Sequence, residues 1–187
     1  MKVPVILGPT SSGKTRLGLK LCKEFNGEII SADSRQIYKF MDIGTGKIPI
    51  GTNIDIERKN DFWYLDSVKV WGYDLITPDK DFSAYDFAQF VLPLAESLIE
   101  KSKVPFLVGG TGLYIDFFTH RISGIPGPPD LKLRKGLEKK SLEELQQNVT
   151  SLNIELNNSE FNNKQRLTRI LERNLNKKSR IPLPYLR

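Results

Sequence analysis

The 187-residue chain holds one cysteine, Cys22, and one histidine, His120. A single thiol excludes an internal disulfide framework and suits a reducing compartment, so a cytoplasmic location is expected. Cys22 reads as a small core residue on a helix. His120 falls near an expected helix end, where a solvated or capping position is the ordinary one, and it is assigned no role. No apolar run approaches the roughly 20 residues that a membrane helix needs, so no membrane partner is expected. Residues 1–7 are too few for a secretory leader before the glycine loop that follows, and are expected to open a fold as its first strand. Internal repeats are missing as well.

What is present is ordinary for a globular chain: 39% hydrophobic and 27% charged residues, which argues against wholesale disorder. The formal net charge of +6 is unevenly placed. Residues 1–130 carry 15 basic against 16 acidic residues, and residues 131–187 carry 13 against 6. A basic C-terminal third suggests a negatively charged partner, with nucleic acid the leading candidate; a solvated basic surface explains the charge alone equally well.

Apolar residues 3–7 ending at glycine predict a buried strand. Leu17, Leu21 and Phe25 at helical spacing, with Leu19 and Cys22 beside them, predict a helix over 14–25 closed by Gly27. Residues 28–32 predict a second strand. This alternation implies a parallel α/β sheet flanked by helices. Residues 41–60 read as loop, and 62–76 as a hairpin or strand. Ser83 and Asp86 mark a capped helix start, with the helix running on through 87–101. A further strand is expected over 104–108 and a helix over 113–118. The proline-rich stretch 125–129 marks a domain boundary. Helices are expected over 131–140, 141–149 (with Ser141 and Glu144 as cap) and 163–177, with a polar loop over 148–163.

Gly8-Pro9-Thr10-Ser11-Ser12-Gly13-Lys14-Thr15 fits G-x-x-x-x-G-K-[ST] without a mismatch, between an expected strand and an expected helix. Glycines let the backbone wrap phosphate oxygens, and the N–H groups of the loop and helix start point at the anion. Lys14 adds positive charge, and Thr15 is placed to help hold Mg2+. Kinases, nucleotide hydrolases and other transferases all share this ATP- and nucleotide-binding type of loop. Asp33, just past the second strand, should face the same crevice, because ligands of such sheets bind at the carboxyl ends of strands. It suits a proton acceptor or a water-mediated metal ligand; an Asp capping a turn fits its position equally well.

With Ser31-Ala32-Asp33-Ser34-Arg35-Gln36-Ile37-Tyr38 and Met41-Asp42-Ile43-Gly44-Thr45-Gly46-Lys47, the loop resembles the tRNA dimethylallyltransferase family. The resemblance continues in order at Asp74-Leu75-Ile76 with Pro78, at Phe82-Ser83-Ala84, at Val108-Gly109-Gly110-Thr111-Gly112-Leu113-Tyr114, and at Gln165-Arg166-Leu167 with Arg169. It implies a P-loop NTPase-like α/β core over 1–124, a reduced helical insert over 125–162, and a C-terminal helix over 163–187 that returns to the core. Family chains carry further helices beyond that point. The activity implied is transfer of a dimethylallyl group from dimethylallyl diphosphate to the exocyclic amine of the adenosine beside the tRNA anticodon, assisted by Mg2+, in a monomer.

Carried over residue by residue, Gly8 and Thr10 to Thr15 would grip the diphosphate. Lys14 and Thr15 would act in catalysis, and Thr15 would lie at the metal. Asp33 matches the general base, and Arg134 matches an arginine that steadies the leaving group. The segment Asp33, Ser34, Arg35 and Gln36, together with Thr111, matches substrate-base contacts. Gln165, Arg166, Leu167, Thr168 and Arg169 match a tRNA-contacting segment. On the last helix Leu167, Ile170, Leu171 and Leu175 form an apolar stripe, and Arg166, Arg169 and Arg173 a basic one. The family's usual histidine pair is replaced here within Lys69-Val70-Trp71-Gly72-Tyr73. Three other readings stand beside this one: a small-molecule kinase, a prenyltransferase acting on free adenylate, and a non-catalytic RNA-binding module.

Overall fold

A computed structural model of the chain describes residues 3–49, 53–118, 125–126, 128–176 and 180–181. The expectations for His120 and for residues 182–187 lie outside them. Two compact units are present, one containing residues 3–118 and the other 125–181. No helix among the described residues is long and apolar enough to cross a membrane.

The first unit is a six-stranded sheet with helices. Its elements are β1 (Val5–Leu7), α1 (Lys14–Glu24), β2 (Gly27–Ser31), β3 (Ile56–Arg58), β4 (Phe62–Leu65), β5 (Val68–Trp71), α2 (Ala84–Glu100), β6 (Val104–Gly109) and α3 (Gly112–Phe118). The strand order is β1-β6-β2-β5-β4-β3. The first four neighbours pair in parallel; β5 with β4 and β4 with β3 pair antiparallel. The sheet is therefore mixed: a parallel centre, as expected, extended at one edge by a hairpin and a third strand. Residues 56–58, read as loop, form that edge strand. Their run Ile-Glu-Arg lacks the apolar alternation that would have revealed it, and all three side chains are exposed.

The parallel centre is apolar because helices cover it. β2 is buried throughout, and β6 at every position after the first. Helix α1 packs on β2 and β6 through Gly18, Leu19 and Cys22. Leu17 and Phe25, expected on the inner stripe, are 48% and 52% exposed. Gly18 is the reason, for a Cβ there would lie 3.1 Å from both Ile29 Cδ1 and Val108 Cγ2, so the helix meets the sheet at its smallest residue. Helix α2 opens with a complete capping box, Ser83 and Asp86 each bonding the other's backbone N–H. It packs on β6 and α3, where Phe87 stacks on Tyr114 at 4.0 Å.

The second unit comprises β7 (Ile125–Pro126), α4 (Leu131–Glu138), α5 (Leu142–Ser151), α6 (Asn158–Phe161), α7 (Lys164–Leu175) and β8 (Arg180–Ile181). A single turn of helix, α6, interrupts the stretch read as loop, capped by Asn157. Helix α7 packs on α4 and α5, and Leu137, Leu145, Val149, Leu167 and Leu171 form one core. Leu167 and Leu171 of α7 thus share a core with α4 and α5. Of the predicted apolar stripe, Leu167 and Leu171 are fully buried, whereas Leu175 is 46% exposed.

Candidate active site

The phosphate-loop motif runs from the end of β1 into α1. Gly13 stands at the N-cap of α1 with φ +81°, and no side chain caps that helix. Glycine adopts this left-handed backbone without strain, and a helix start without a side-chain cap keeps its N–H groups available to an anion. A Cβ at Gly8 would lie 3.1 Å from Ser12 Oγ, so the loop closes tightly on itself. Lys14 Nζ donates back across the loop to the Pro9 carbonyl.

A cavity of about 230 Å³ opens over this loop. Thr10, Ser11, Ser12, Gly13, Lys14 and Thr15 line it, and so do Asp33 and Gln36. The placement of Asp33 follows from how strands β2 and β6 end. A Cβ on Gly109 would lie 2.2 Å from Ala32 O, so only glycine lets the two strand ends approach this closely. Thr111 N then donates to Ala32 O at 3.1 Å, and Thr111 Oγ1 accepts from Ser34 N at 2.9 Å. Asp33 Oδ1 accepts from Arg35 N at 2.9 Å, closing a turn that holds the carboxylate half-buried at the cavity. Asp33 is thus a turn cap that also lines the cavity over the phosphate loop. Ser34 and Arg35 are exposed beside it.

Gln36, expected to touch a nucleobase, is committed at both ends of its amide. Its Oε1 accepts from Ser31 Oγ at 2.6 Å and its Nε2 donates to Thr45 O at 3.0 Å. It braces the 41–47 turn, which adds Thr45 and Gly46 to the cavity wall.

Behind that wall lies a polar cluster to which the sequence reading assigned no role. Lys47 is wholly buried; its Nζ donates to Tyr38 O at 2.7 Å and pairs with Asp74 at 2.6 Å and Asp42 at 3.1 Å. Trp63 Nε1 donates to the other oxygen of Asp74 at 3.1 Å. Burial would push the Asp42 carboxyl up, but Lys47 and Arg58 hold it below the usual carboxylate range. Tyr73, 2% exposed, donates from its hydroxyl to Lys47 O at 3.1 Å and stands edge-on to Trp63. Burial pushes the Tyr73 phenol pKa up and the Asp33 charge adds to this, while a hydrogen bond with the Thr15 side chain opposes it. The signal for this cluster was the Met41 to Lys47 motif and the Tyr73 departure, both visible without a reason attached.

Cys22 is buried as expected, and burial with the nearby Glu28 charge pushes its thiol up to about 12, which leaves it unreactive.

In the second unit the expected tRNA-contacting segment divides by side. Gln165, Arg166 and Arg169 are exposed on α7. Leu167 and Thr168 are buried, Thr168 Oγ1 donating to Lys164 O at 2.9 Å, so these two side chains belong to packing and not to a partner surface. Arg134 is engaged inside this unit: its Nε donates to Glu172 Oε2 at 2.8 Å, and Glu172 Oε1 accepts from Asp130 N at 2.7 Å. Partial desolvation pushes the Arg173 guanidinium pKa down, Arg169 and Arg134 adding to the effect against Glu172.

A parallel-centred α/β sheet with a phosphate-loop motif after β1, and a carboxylate after β2 lining the same cavity, is a P-loop NTPase-like arrangement. Residues 36–183 match the family model described as IPP transferase. The chain belongs to that family. It is 39% identical over 175 residues to a tRNA dimethylallyltransferase of Endomicrobium trichonymphae, covering 94% of this chain and 56% of the relative. Over 169 residues it is 37% identical to tRNA dimethylallyltransferase 1 of Syntrophus aciditrophicus, covering 90% and 52%. The chain therefore spans about half the length of these curated relatives. Among solved structures, the full-length tRNA isopentenylpyrophosphate transferase of Bacillus halodurans matches with a TM-score of 0.55 at 31% identity, over 95% of this chain and 56% of that one. A eukaryotic dimethylallyltransferase acting on tRNA shares the fold with a TM-score of 0.66 at 22% identity, over 91% and 40%.

Proposed function

We propose that the chain transfers a dimethylallyl group from dimethylallyl diphosphate to the exocyclic amine of the adenosine beside the anticodon of tRNA, in the cytoplasm. One observation carries the reading: in a chain of this family, the phosphate loop and Asp33 line the same cavity. An adenine amine is a poor nucleophile, so departure of the leaving group must supply much of the driving force. As the C–O bond breaks, its electron pair goes to the diphosphate. The loop N–H groups and Lys14 would stabilise that developing charge. The N–C bond forms, and the amine proton passes to the Asp33 carboxylate. The target base must leave its stack to enter the cavity. Arg166 and Arg169, exposed on α7, are suited to RNA phosphates.

Hard oxygen donors at the cavity, the Thr15 hydroxyl and the Asp33 carboxylate, fit Mg2+, which prefers few protein ligands together with water and phosphate oxygens. Bound there, Mg2+ would supply charge neutralisation to the diphosphate.

The test is prenyl transfer to an anticodon stem-loop, run beside free adenylate and beside ATP turnover without a prenyl donor. Transfer to the stem-loop is expected, with Asp33→Ala lowering it by roughly 10²–10⁴-fold while RNA binding persists. Undiminished transfer by Asp33→Ala would remove Asp33 as the base. Equal transfer to adenylate would remove tRNA as the preferred acceptor, and ATP turnover alone would favour a kinase.

A further inference from the structure

We infer that Phe40 is a stacking platform for an unpaired nucleobase of the RNA acceptor, flanking the base that enters the cavity. This contact rests on the reading of tRNA as the acceptor and lies outside the phosphate-binding and proton-accepting groups.

Phenylalanine is mostly buried in folded chains, yet Phe40 is 85% exposed. Its backbone stands at φ +65°, a left-handed conformation that glycine adopts freely and a bulky residue adopts only under strain. Neither packing nor backbone preference therefore accounts for a phenylalanine at this position; both would favour glycine. Strained residues that the surrounding structure holds in place cluster where ligands are bound. Met41 and Ile43, 40% and 98% exposed, make the same turn apolar towards solvent.

The turn is held on both sides of Phe40. Lys39 N donates to Ile76 O at 2.7 Å, and Lys47 Nζ donates to Tyr38 O at 2.7 Å. Thr45 Oγ1 donates to Met41 O at 2.7 Å, and Asp42 pairs with Lys47 at 3.1 Å and with Arg58 at 2.8 Å. Thr45 also lines the cavity, so one hydrogen bond links the cavity wall to the residue after Phe40. A base that leaves its stack to enter the cavity uncovers the faces of its neighbours. Aromatic side chains hold such bases by stacking, which every base permits and which reads no base edge. Because the backbone beneath the ring is already fixed, little of it has to be ordered on binding. A folded protein partner would instead bury about 800 Å² on each side, far more than one turn offers.

The test is a titration of the full chain with an anticodon stem-loop that carries 2-aminopurine, in turn, at each nucleotide beside the target adenosine. Quenching at one of the two positions is expected on binding, as the fluorescent base stacks. Phe40→Gly, which suits the left-handed backbone, is expected to abolish that quenching and to weaken stem-loop binding roughly 5–150-fold, while melting no lower than the parent and binding inorganic diphosphate within about twofold of it. Phe40→Tyr keeps the ring face and should retain affinity and quenching. Parental affinity or parental quenching in Phe40→Gly would overturn the assignment, as would loss of stem-loop binding in Phe40→Tyr. A lower melting temperature, or diphosphate binding lost along with the stem-loop, would make Phe40 a support of the cavity wall. Self-association of the parent that disappears in Phe40→Gly with RNA binding intact would make it a contact between copies. Either result overturns the proposal. A parent chain that does not bind the stem-loop would overturn the reading of tRNA as acceptor itself.

Discussion

Gly109 places the candidate base by having no side chain. Its missing side chain is what allows the ends of β2 and β6 to close, and the obstructing atoms are Ala32 backbone, which cannot rotate away. Gly109→Ala is expected to push Ala32, and with it Asp33, off the phosphate loop. Overpacking of this kind costs about 1–3 kcal/mol, which thermal melting would register, and prenyl transfer should fall by more than the stability loss explains. An unchanged melting temperature would show that the strand ends can part freely. The sequence showed this glycine as part of a run, but not which one of the run was indispensable. That depends on a strand distant in sequence, and no local pattern reports it. Asp33 was legible because strand-end position and family motif agree. Gln36 lines the cavity beside Asp33, but its motif did not show that its amide is tied inward to Ser31 and Thr45.

Among the elements, the helices were read best at their ends and least well on their faces. Ser83 with Asp86 and Ser141 with Glu144 form the capping boxes their spacing announces, because a cap is settled within four residues. The inner face of α1 was misjudged because counting large apolar residues cannot find a contact centred on Gly18. Helix α7 shows the reverse case, where a motif read as one contact segment is divided by helical geometry. Leu167 lies in the core of the second unit while Arg166 and Arg169 on either side remain outside. Leu167→Ala should therefore destabilise that unit by about 2–5 kcal/mol. Hydrogen exchange is expected to show lost protection in α4, α5 and α7, with β2 and β6 unaffected. Equal loss in both units would mean that they unfold together.

Charge is a property of the whole molecule, and it divides as the fold does. The basic excess falls in residues 131–187, almost all within the second unit, while the phosphate loop and Asp33 belong to the first. If the second unit supplies phosphate contacts to RNA, its arginines should act through counterion release, not through chemistry. For single-stranded nucleic acid, log Kobs falls with log salt by about 0.7 per phosphate neutralised. Replacing both Arg166 and Arg169 with alanine is thus expected to flatten that slope by about 1.4 and to weaken binding at low salt, with free adenylate turnover unchanged. Thr168→Val, altering a buried neighbour on the same helix, should leave the slope where it is. The Asp33→Ala chain should also keep the parental slope, since its carboxylate lies at the cavity and carries no cation to exchange. A slope that stays constant in the double arginine variant would show that the basic surface of α7 is merely solvated, and that RNA is held through the first unit.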